Sequence, residues 1–106
     1  MRIGVYAGTF DPVTHGHRSV IERGAALFDR LYVLVASNPS KQPLLSVEER
    51  LGFLTELTRA WPHVSAAATS GFVVDFAREH GARYLIRGVR GSTDVEAEIR
   101  LADLNH

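Results

Sequence analysis

Short, nearly unbroken apolar runs alternate along the chain with segments whose apolar residues recur at helical spacing. The apolar runs predict four strands, at residues 3–7, 31–36, 63–68 and 84–86. Runs of this kind are typical of parallel strands that are covered on both faces. The remaining segments predict four helices, at residues 16–29, 46–61, 71–80 and 93–104. Capping boxes mark the start of two of these helices, at residues 46–49 and 93–96.

The alternation of strands and helices predicts a Rossmann-like α/β domain, with a doubly wound parallel sheet and helices on both faces. The chain has the size of one domain, and we expect residues 1–106 to form it. Ligands of such sheets bind beyond the carboxyl ends of the strands, so the loops after the first, second and fourth strands are the ones to examine. The last of these loops is predicted at residues 88–91. No strand is predicted after the last helix, so we expect a C-terminal strand and helix to be missing and one sheet edge to be uncovered.

Composition narrows the class of protein. The hydrophobic content of 45% and the charged content of 23% are ordinary for a soluble globular domain. A net charge of zero argues against nucleic acid as a partner, since nucleic-acid-binding domains are usually strongly basic. No apolar run has the length of a membrane span and the N-terminus has no signal-peptide layout, so we expect no membrane association and a cytoplasmic protein. The absence of cysteine excludes a disulfide scaffold, a thiolate zinc site and a thiol nucleophile.

The loop after the first predicted strand carries the strongest chemical signal. Gly8 allows the main chain to turn and a ligand to approach closely, and Thr9 adds a hydroxyl group. Asp11 and Pro12 are typical turn residues. His17 falls in the first turn of the following helix, beside main-chain N–H groups and the positive end of the helix dipole. This combination predicts an anion-binding site.

Common phosphate-binding and metal-binding motifs do not account for this loop. The chain has no GxxxxGK[ST] sequence, which excludes a P-loop, and no GxGxxG after the first strand, which disfavours a dinucleotide-binding dehydrogenase. His15 and His17 form a pair that could bind a metal, but the sequence offers no cysteine and no evident third ligand. We therefore predict no metal site built from protein side chains.

Segments at the predicted ligand edge resemble those of one enzyme family. Residues 8–17, with the sequence GTFDPVTHGH, resemble the HxGH nucleotidyltransferase signature in its T-x-G-H form. Residues 37–41 (SNPSK), 48–50 (EER) and 86–90 (IRGVR) are similar to the phosphopantetheine adenylyltransferase branch of that family. The segments occur in the order and at the spacing of the family, and the resemblance covers essentially the whole chain.

The resemblance implies a role for each matching residue. His17 would contact the α-phosphate of ATP and stabilise the charge that develops there. Thr9 would help to hold the attacking phosphate, and Lys41, the only lysine in the chain, would neutralise phosphate between the two substrates. The residues implied on the ATP side are Thr9, Phe10, His17, Gly88, Arg90 and Glu98. Those implied on the phosphopantetheine side are Thr9, Lys41, Val73, Arg87 and Asn105. Arg87 would bind the phosphate of this substrate, and Phe72 is implied beside Val73.

The activity implied by the resemblance is transfer of AMP from ATP to 4′-phosphopantetheine, which yields dephospho-coenzyme A and pyrophosphate. The family also implies Mg²⁺ as the partner of the triphosphate, coenzyme A as an inhibitor, and a homohexamer. Two alternatives stay open: a nucleotidyltransferase for nicotinamide mononucleotide or a polyol phosphate, and a nucleotide-binding fragment without catalysis. Family members continue with a further strand and a serine-rich segment that grips the triphosphate, which this sequence lacks. We therefore expect the 106 residues alone to bind phosphopantetheine or coenzyme A better than they turn over ATP.

Overall fold

A computed structural model of the chain describes residues 1–36, 44–90 and 97–103, with the main chain alone for residues 87–90 and 97–102. The strands in this part of the chain are β1 (Ile3–Gly8), β2 (Arg30–Ala36), β3 (Val64–Thr69), β4 (Tyr84–Arg90) and β5 (Ala97–Asp103). The helices are α1 (His15–Leu27), α2 (Val47–Leu57) and α3 (Val73–Glu79), and a 3₁₀ turn at Thr58–Ala60 follows α2. None of the described helices is both long enough and apolar enough to cross a membrane.

The five described strands form one sheet in the order β3-β2-β1-β4-β5. The central strand β1 pairs in parallel with β2 on one side and with β4 on the other, and β3 runs parallel to β2. The strand order therefore reverses at β1, which is the doubly wound arrangement, and the predicted Rossmann-like fold is confirmed. The carboxyl ends of β1 and β4 lie side by side at this reversal, which is where ligands of such sheets bind.

Both faces of the sheet are covered, which explains the unbroken apolar runs in the sequence. Successive residues of a strand point to opposite faces. Val33 and Val35 of β2 accordingly belong to the core cluster that contains Ile21 of α1 and Leu54 of α2, whereas Leu34 belongs to a smaller cluster with Ala77 of α3. The two helices that carry candidate site residues, α1 and α3, therefore pack on opposite faces of the sheet.

The start of α2 agrees with the sequence. The Ser46 hydroxyl accepts a hydrogen bond from the Glu49 main-chain N–H at 3.0 Å, and the Glu49 carboxylate accepts one from the Ser46 N–H at 3.1 Å. The predicted capping box is confirmed, and two of the first main-chain donors of α2 have partners within it.

The C-terminal part of the chain differs from the prediction. The helix predicted at 93–104 is wrong for residues 97–103, which form β5 and pair antiparallel with β4 from Tyr84↔Asp103 to Arg90↔Ala97. The loop predicted at 88–91 is wrong for residues 88–90, because β4 extends to Arg90. β4 thus has a neighbour on both sides, so the prediction of an uncovered sheet edge does not hold for this strand. Residues 91–96 and 104–106 lie outside the described part of the chain.

The reason for this error lies in the pattern itself. Residues 97–103, AEIRLAD, place Ile99 and Leu101 in alternation with Glu98 and Arg100, which suits a strand, yet their apolar residues also fit a helical repeat. Short segments of this kind are ambiguous by periodicity alone. The open hydrogen-bonding edge of β4 decides the outcome, since its main-chain groups need partners.

Candidate functional site

A cleft of about 570 Å³ opens at the carboxyl end of β1, where the strand order reverses. Its walls come from β1, from the loop that follows β1, from the first turns of α1 and α3, and from β4. Among the residues whose side chains are described, those that line it are Tyr6, Ala7, Gly8, Thr9, His17, Val73, Leu85 and Ile86. The cleft lies where the sequence directs the search, and it combines an apolar floor with polar groups on the first loop.

The first loop is shaped by Phe10, whose side chain is turned inward and fully buried. The Phe10 ring lies edge-on to the rings of Tyr6 and His17, with centroid distances of 5.4 Å and 4.9 Å. Its main chain has a φ of 50°, a conformation that side-chain-bearing residues adopt at some cost. A Cβ atom at Gly8 would lie 3.1 Å from the Phe10 ring. Gly8 therefore permits Phe10 to fold beneath the loop, and the ring in turn supports His17.

Thr14 and His17 form the capping box that starts α1. Thr14 is the N-cap, and its hydroxyl oxygen accepts from the His17 main-chain N–H at 3.3 Å. In return, the Nδ1 atom of the His17 ring lies 3.0 Å from the Thr14 main-chain nitrogen. The usual box has glutamate or glutamine at the third helical position, and here an imidazole nitrogen serves as the acceptor.

This hydrogen bond assigns the tautomer of His17. A main-chain N–H can only donate, so Nδ1 must accept, and the proton of the neutral ring is on Nε2. His17 lines the cleft, and it stands in the first turn of α1, where the helix dipole favours negative charge. An oriented N–H donor at a helix N-terminus is suited to a phosphate oxygen.

The structure brings together three of the residues that the sequence singled out. Thr9, His17 and Val73 all line the cleft, although they come from the first loop, α1 and α3. Phe10 does not line it, because its ring is buried behind the loop. Phe72 is 79% exposed and lies outside the cleft lining. The roles of all these residues stay predictions.

The remaining predicted residues are described in part or not at all. Arg87, Gly88 and Arg90 lie on β4 rather than in a loop, and Glu98 lies on β5 opposite Val89. Pairing between β1 and β4 ends at Tyr6↔Ile86, so the main chain of Arg87 directly follows a residue of the cleft floor. Lys41 and Asn105 lie outside the described residues.

The histidine pair of the first loop is divided between two surfaces. His17 lines the cleft, whereas His15 lines a second depression of about 400 Å³ together with Val13, Thr14, Arg18 and Leu57. No three His, Asp or Glu side chains are grouped as a metal site requires among residues with described side chains.

Two charged residues near the cleft received no site role from the sequence. The Asp11 carboxylate accepts from the main-chain N–H groups of Leu44 and Leu45, at 2.7 and 2.8 Å. Arg50, only 4% exposed, donates from Nη1 to the carbonyl oxygen of Thr9 at 3.0 Å. Asp11 has the sequence signature of a turn residue. Arg50 lies four residues before Leu54 on the buried face of α2, and this placement is the signal that could have identified it.

Comparison with known proteins identifies a family and several relatives that the chain resembles. Residues 5–104 match the sequence model of the cytidylyltransferase-like family. The chain is 52% identical over 101 residues to a phosphopantetheine adenylyltransferase of Actinobacillus pleuropneumoniae serotype 7, and 48% identical over 106 residues to one of Lachnoclostridium phytofermentans. These alignments cover 95% and 100% of this chain but 64% and 65% of the relatives. The chain thus spans slightly less than two thirds of the curated relatives it matches.

Solved structures show the same fold. The lipopolysaccharide core biosynthesis protein from Thermoplasma volcanium GSS1 superposes with a TM-score of 0.65, over 80% of this chain and 72% of that one. The two sequences are 23% identical, so this likeness supports the fold alone.

Proposed function

The chain belongs to the cytidylyltransferase-like family, and we propose that it transfers the adenylyl group of ATP to 4′-phosphopantetheine. The products are dephospho-coenzyme A and pyrophosphate. Support comes from relatives of about half-identical sequence that bear the name phosphopantetheine adenylyltransferase. The structural observation that carries the proposal is the meeting of Thr9 and His17 in one cleft, with the Nδ1 atom of His17 held by the Thr14 N–H.

The reaction joins two anions. An oxygen of the 4′-phosphate attacks the α-phosphorus of ATP, and the bond between that phosphorus and the α–β bridging oxygen breaks. The bridging oxygen leaves with the bonding electron pair as part of pyrophosphate. The protein contributes alignment and stabilisation of charge rather than a nucleophile of its own.

His17 is the group proposed to act on the transition state. Its Nε2–H would donate to an oxygen of the α-phosphate, where negative charge develops as the new bond forms. The Thr14 N–H holds the opposite ring nitrogen, so the donor is oriented before substrate arrives. The Phe10 ring packs against the imidazole, with a centroid distance of 4.9 Å and an interplanar angle of 68°.

The acceptor substrate is proposed to occupy the rest of the cleft. Thr9 would hold its phosphate, and the apolar wall formed by Val73, Leu85 and Ile86 would contact the pantetheine arm. Lys41, Arg87 and Arg90 are proposed to neutralise the phosphates, with Arg87 on the phosphopantetheine side. Gly88 and Glu98 on the ATP side and Asn105 on the pantetheine side complete the proposed set.

The other partners follow from the same assignment. Mg²⁺ is proposed to enter with ATP, since this ion commonly bridges phosphate oxygens and needs few protein ligands. Both oxygens of Asp11 accept from main-chain N–H groups, and we assign that residue no metal. Inhibition by coenzyme A, assembly into a homohexamer and a cytoplasmic location are proposed on the strength of the family resemblance.

The test is pyrophosphate release from ATP by the purified protein with each of a panel of acceptors. Release should require 4′-phosphopantetheine and should be absent with pantetheine, which lacks the attacking phosphate. Equal release with nicotinamide mononucleotide or a polyol phosphate would overturn the substrate assignment. Binding of ATP and phosphopantetheine without release by any acceptor would favour a nucleotide-binding protein without catalysis.

A further inference from the structure

Two charged side chains join the first loop to the start of α2 across a long stretch of sequence. Asp11 bonds to the main-chain N–H groups of Leu44 and Leu45 through its two carboxylate oxygens, one to each. Arg50 donates to the carbonyl oxygen of Thr9 from Nη1, and to that of Ser46 from Nε at 3.3 Å. The two side chains thus cross between the same two segments in opposite directions.

The burial of Arg50 indicates that this contact is more than incidental. Arg50 is 4% exposed, and burying a charged residue to this extent is costly unless its guanidinium group is well bonded. Both of its hydrogen-bond partners in the described part of the chain are main-chain carbonyl oxygens. A surface arginine on α2 would avoid the cost, so the buried position favours a role in holding the loop.

The two tethers act on the segments that carry the proposed reaction. Thr9 lines the cleft, and the loop continues from it to the Thr14–His17 capping box. On the other side, Leu44 stands three positions after Lys41 in the sequence. The two tethers therefore join the loop that carries Thr9 to residues 44–50, which follow shortly after Lys41 in the sequence. Neither Asp11 nor Arg50 lines the cleft.

We propose that Asp11 and Arg50 are positioning residues that together fix the first loop to residues 44–50, so that Thr9 and His17 are aligned on the substrates. This inference rests on the proposed function. Its physical basis is that group transfer between two bound anions depends on geometry: a misplacement of about 1 Å can lower a rate by about 10²-fold. The pair acts through the loop that carries Thr9 and His17, and neither residue lines the cleft.

The first experiment measures turnover in variants that weaken each tether while preserving side-chain size or charge. Asp11→Asn replaces one of two acceptor oxygens with a donor, and Arg50→Lys keeps the charge but loses the planar fork. Each should lower kcat by about tenfold or more, with the KM for ATP changed by about threefold at most, since alignment matters chiefly in the transition state. Asp29→Asn and Arg59→Lys are matched controls on exposed residues away from the cleft, and neither should change kcat.

Combining the two variants tests whether the residues act as one unit. If they form a single clamp, the Asp11→Asn/Arg50→Lys double variant should be about as slow as the slower single variant. Fully additive losses would overturn the joint role. Values of kcat in both single variants within about twofold of their controls would overturn the positioning role altogether.

A second readout requires no turnover and separates this inference from the proposed function. The main-chain N–H groups of Leu44 and Leu45 donate to Asp11 and not to Arg50, yet Arg50→Lys should accelerate hydrogen exchange at those two amides if the clamp is cooperative. Unchanged exchange there would overturn the clamp whatever acceptor the enzyme uses. If Arg50→Lys fails to fold, the half-buried Asp11→Asn variant serves as the test. Its kcat should fall with whichever acceptor supports turnover, and an unchanged kcat would overturn the inference.

Discussion

Gly24 offers a test of how α1 is seated on the sheet. This helix carries His17, and Gly24 lies on its buried face two turns further on. A Cβ atom at Gly24 would lie 3.0 Å from Leu31 Cδ2 of β2 and 3.1 Å from Ile86 Cδ1 of β4. Both distances are a few tenths of an ångström shorter than ordinary van der Waals contact, and both partner side chains are fully buried, so neither can move away freely.

Two opposing effects set the result of Gly24→Ala. Alanine in a helix interior is favoured over glycine by about 0.5–1 kcal/mol. Forcing an extra methyl group into a well-packed core costs about 1–3 kcal/mol. Overpacking should win, with the free energy of unfolding lowered by about 1 kcal/mol and the melting temperature by about 4–8 °C for a domain of this size.

Gly52 supplies the matched control, because it is an exposed helical glycine with no atom within 4 Å of a built Cβ. Gly52→Ala should therefore gain the full propensity benefit, about 0.5–1 kcal/mol. Both variants are compared by urea denaturation and thermal melts under identical conditions. An equal gain in stability from the two substitutions would refute the close seating of α1 against Leu31 and Ile86.

Three further predictions concern the site. His17→Ala should lower kcat and kcat/KM alike by about 10² or more, with little change in KM, in a steady-state assay of pyrophosphate release. A change confined to KM would mean that His17 only binds ground-state ATP. Arg87→Ala should instead raise the KM for phosphopantetheine and leave kcat nearly unchanged in the same assay, and an unaltered KM would remove Arg87 from that substrate. Thr14→Ala removes the acceptor for the His17 main-chain N–H and should lower the free energy of unfolding, measured by urea denaturation, by about 1 kcal/mol. Thr14→Ser should retain wild-type stability, and an equal loss in both variants would contradict the capping role.

The order of the first four strands and three helices along the chain, and the place of the cleft, could be predicted from sequence because they depend on local signals. Apolar runs such as residues 31–36 are long enough to identify buried parallel strands. Once the order is known, the ligand edge follows from general sheet topology. The meeting of Thr9 and His17 in the cleft follows directly, since Thr9 comes just after β1 and His17 stands in the first turn of α1.

The remaining features depend on partners distant in sequence. The spacing of Arg50 from Leu54 places it on the buried face of α2, but its contact with Thr9, 41 residues away, cannot be predicted from the sequence. The capping box of α1 escaped recognition because His17 occupies the place usually held by glutamate. The strand β5 depends on hydrogen bonds offered by β4, which no periodicity within residues 97–103 can reveal.

The central claim is that an adenylyl group moves from ATP to the phosphate of phosphopantetheine. The most direct measurement uses ATP radiolabelled in the α-phosphate or, separately, in the γ-phosphate, with separation of the products after incubation with 4′-phosphopantetheine. The account predicts that the α label appears in dephospho-coenzyme A and the γ label in pyrophosphate, in equal amounts. Appearance of the γ label on the pantetheine product, or retention of the α label in free nucleotide while phosphopantetheine is unchanged, would contradict it.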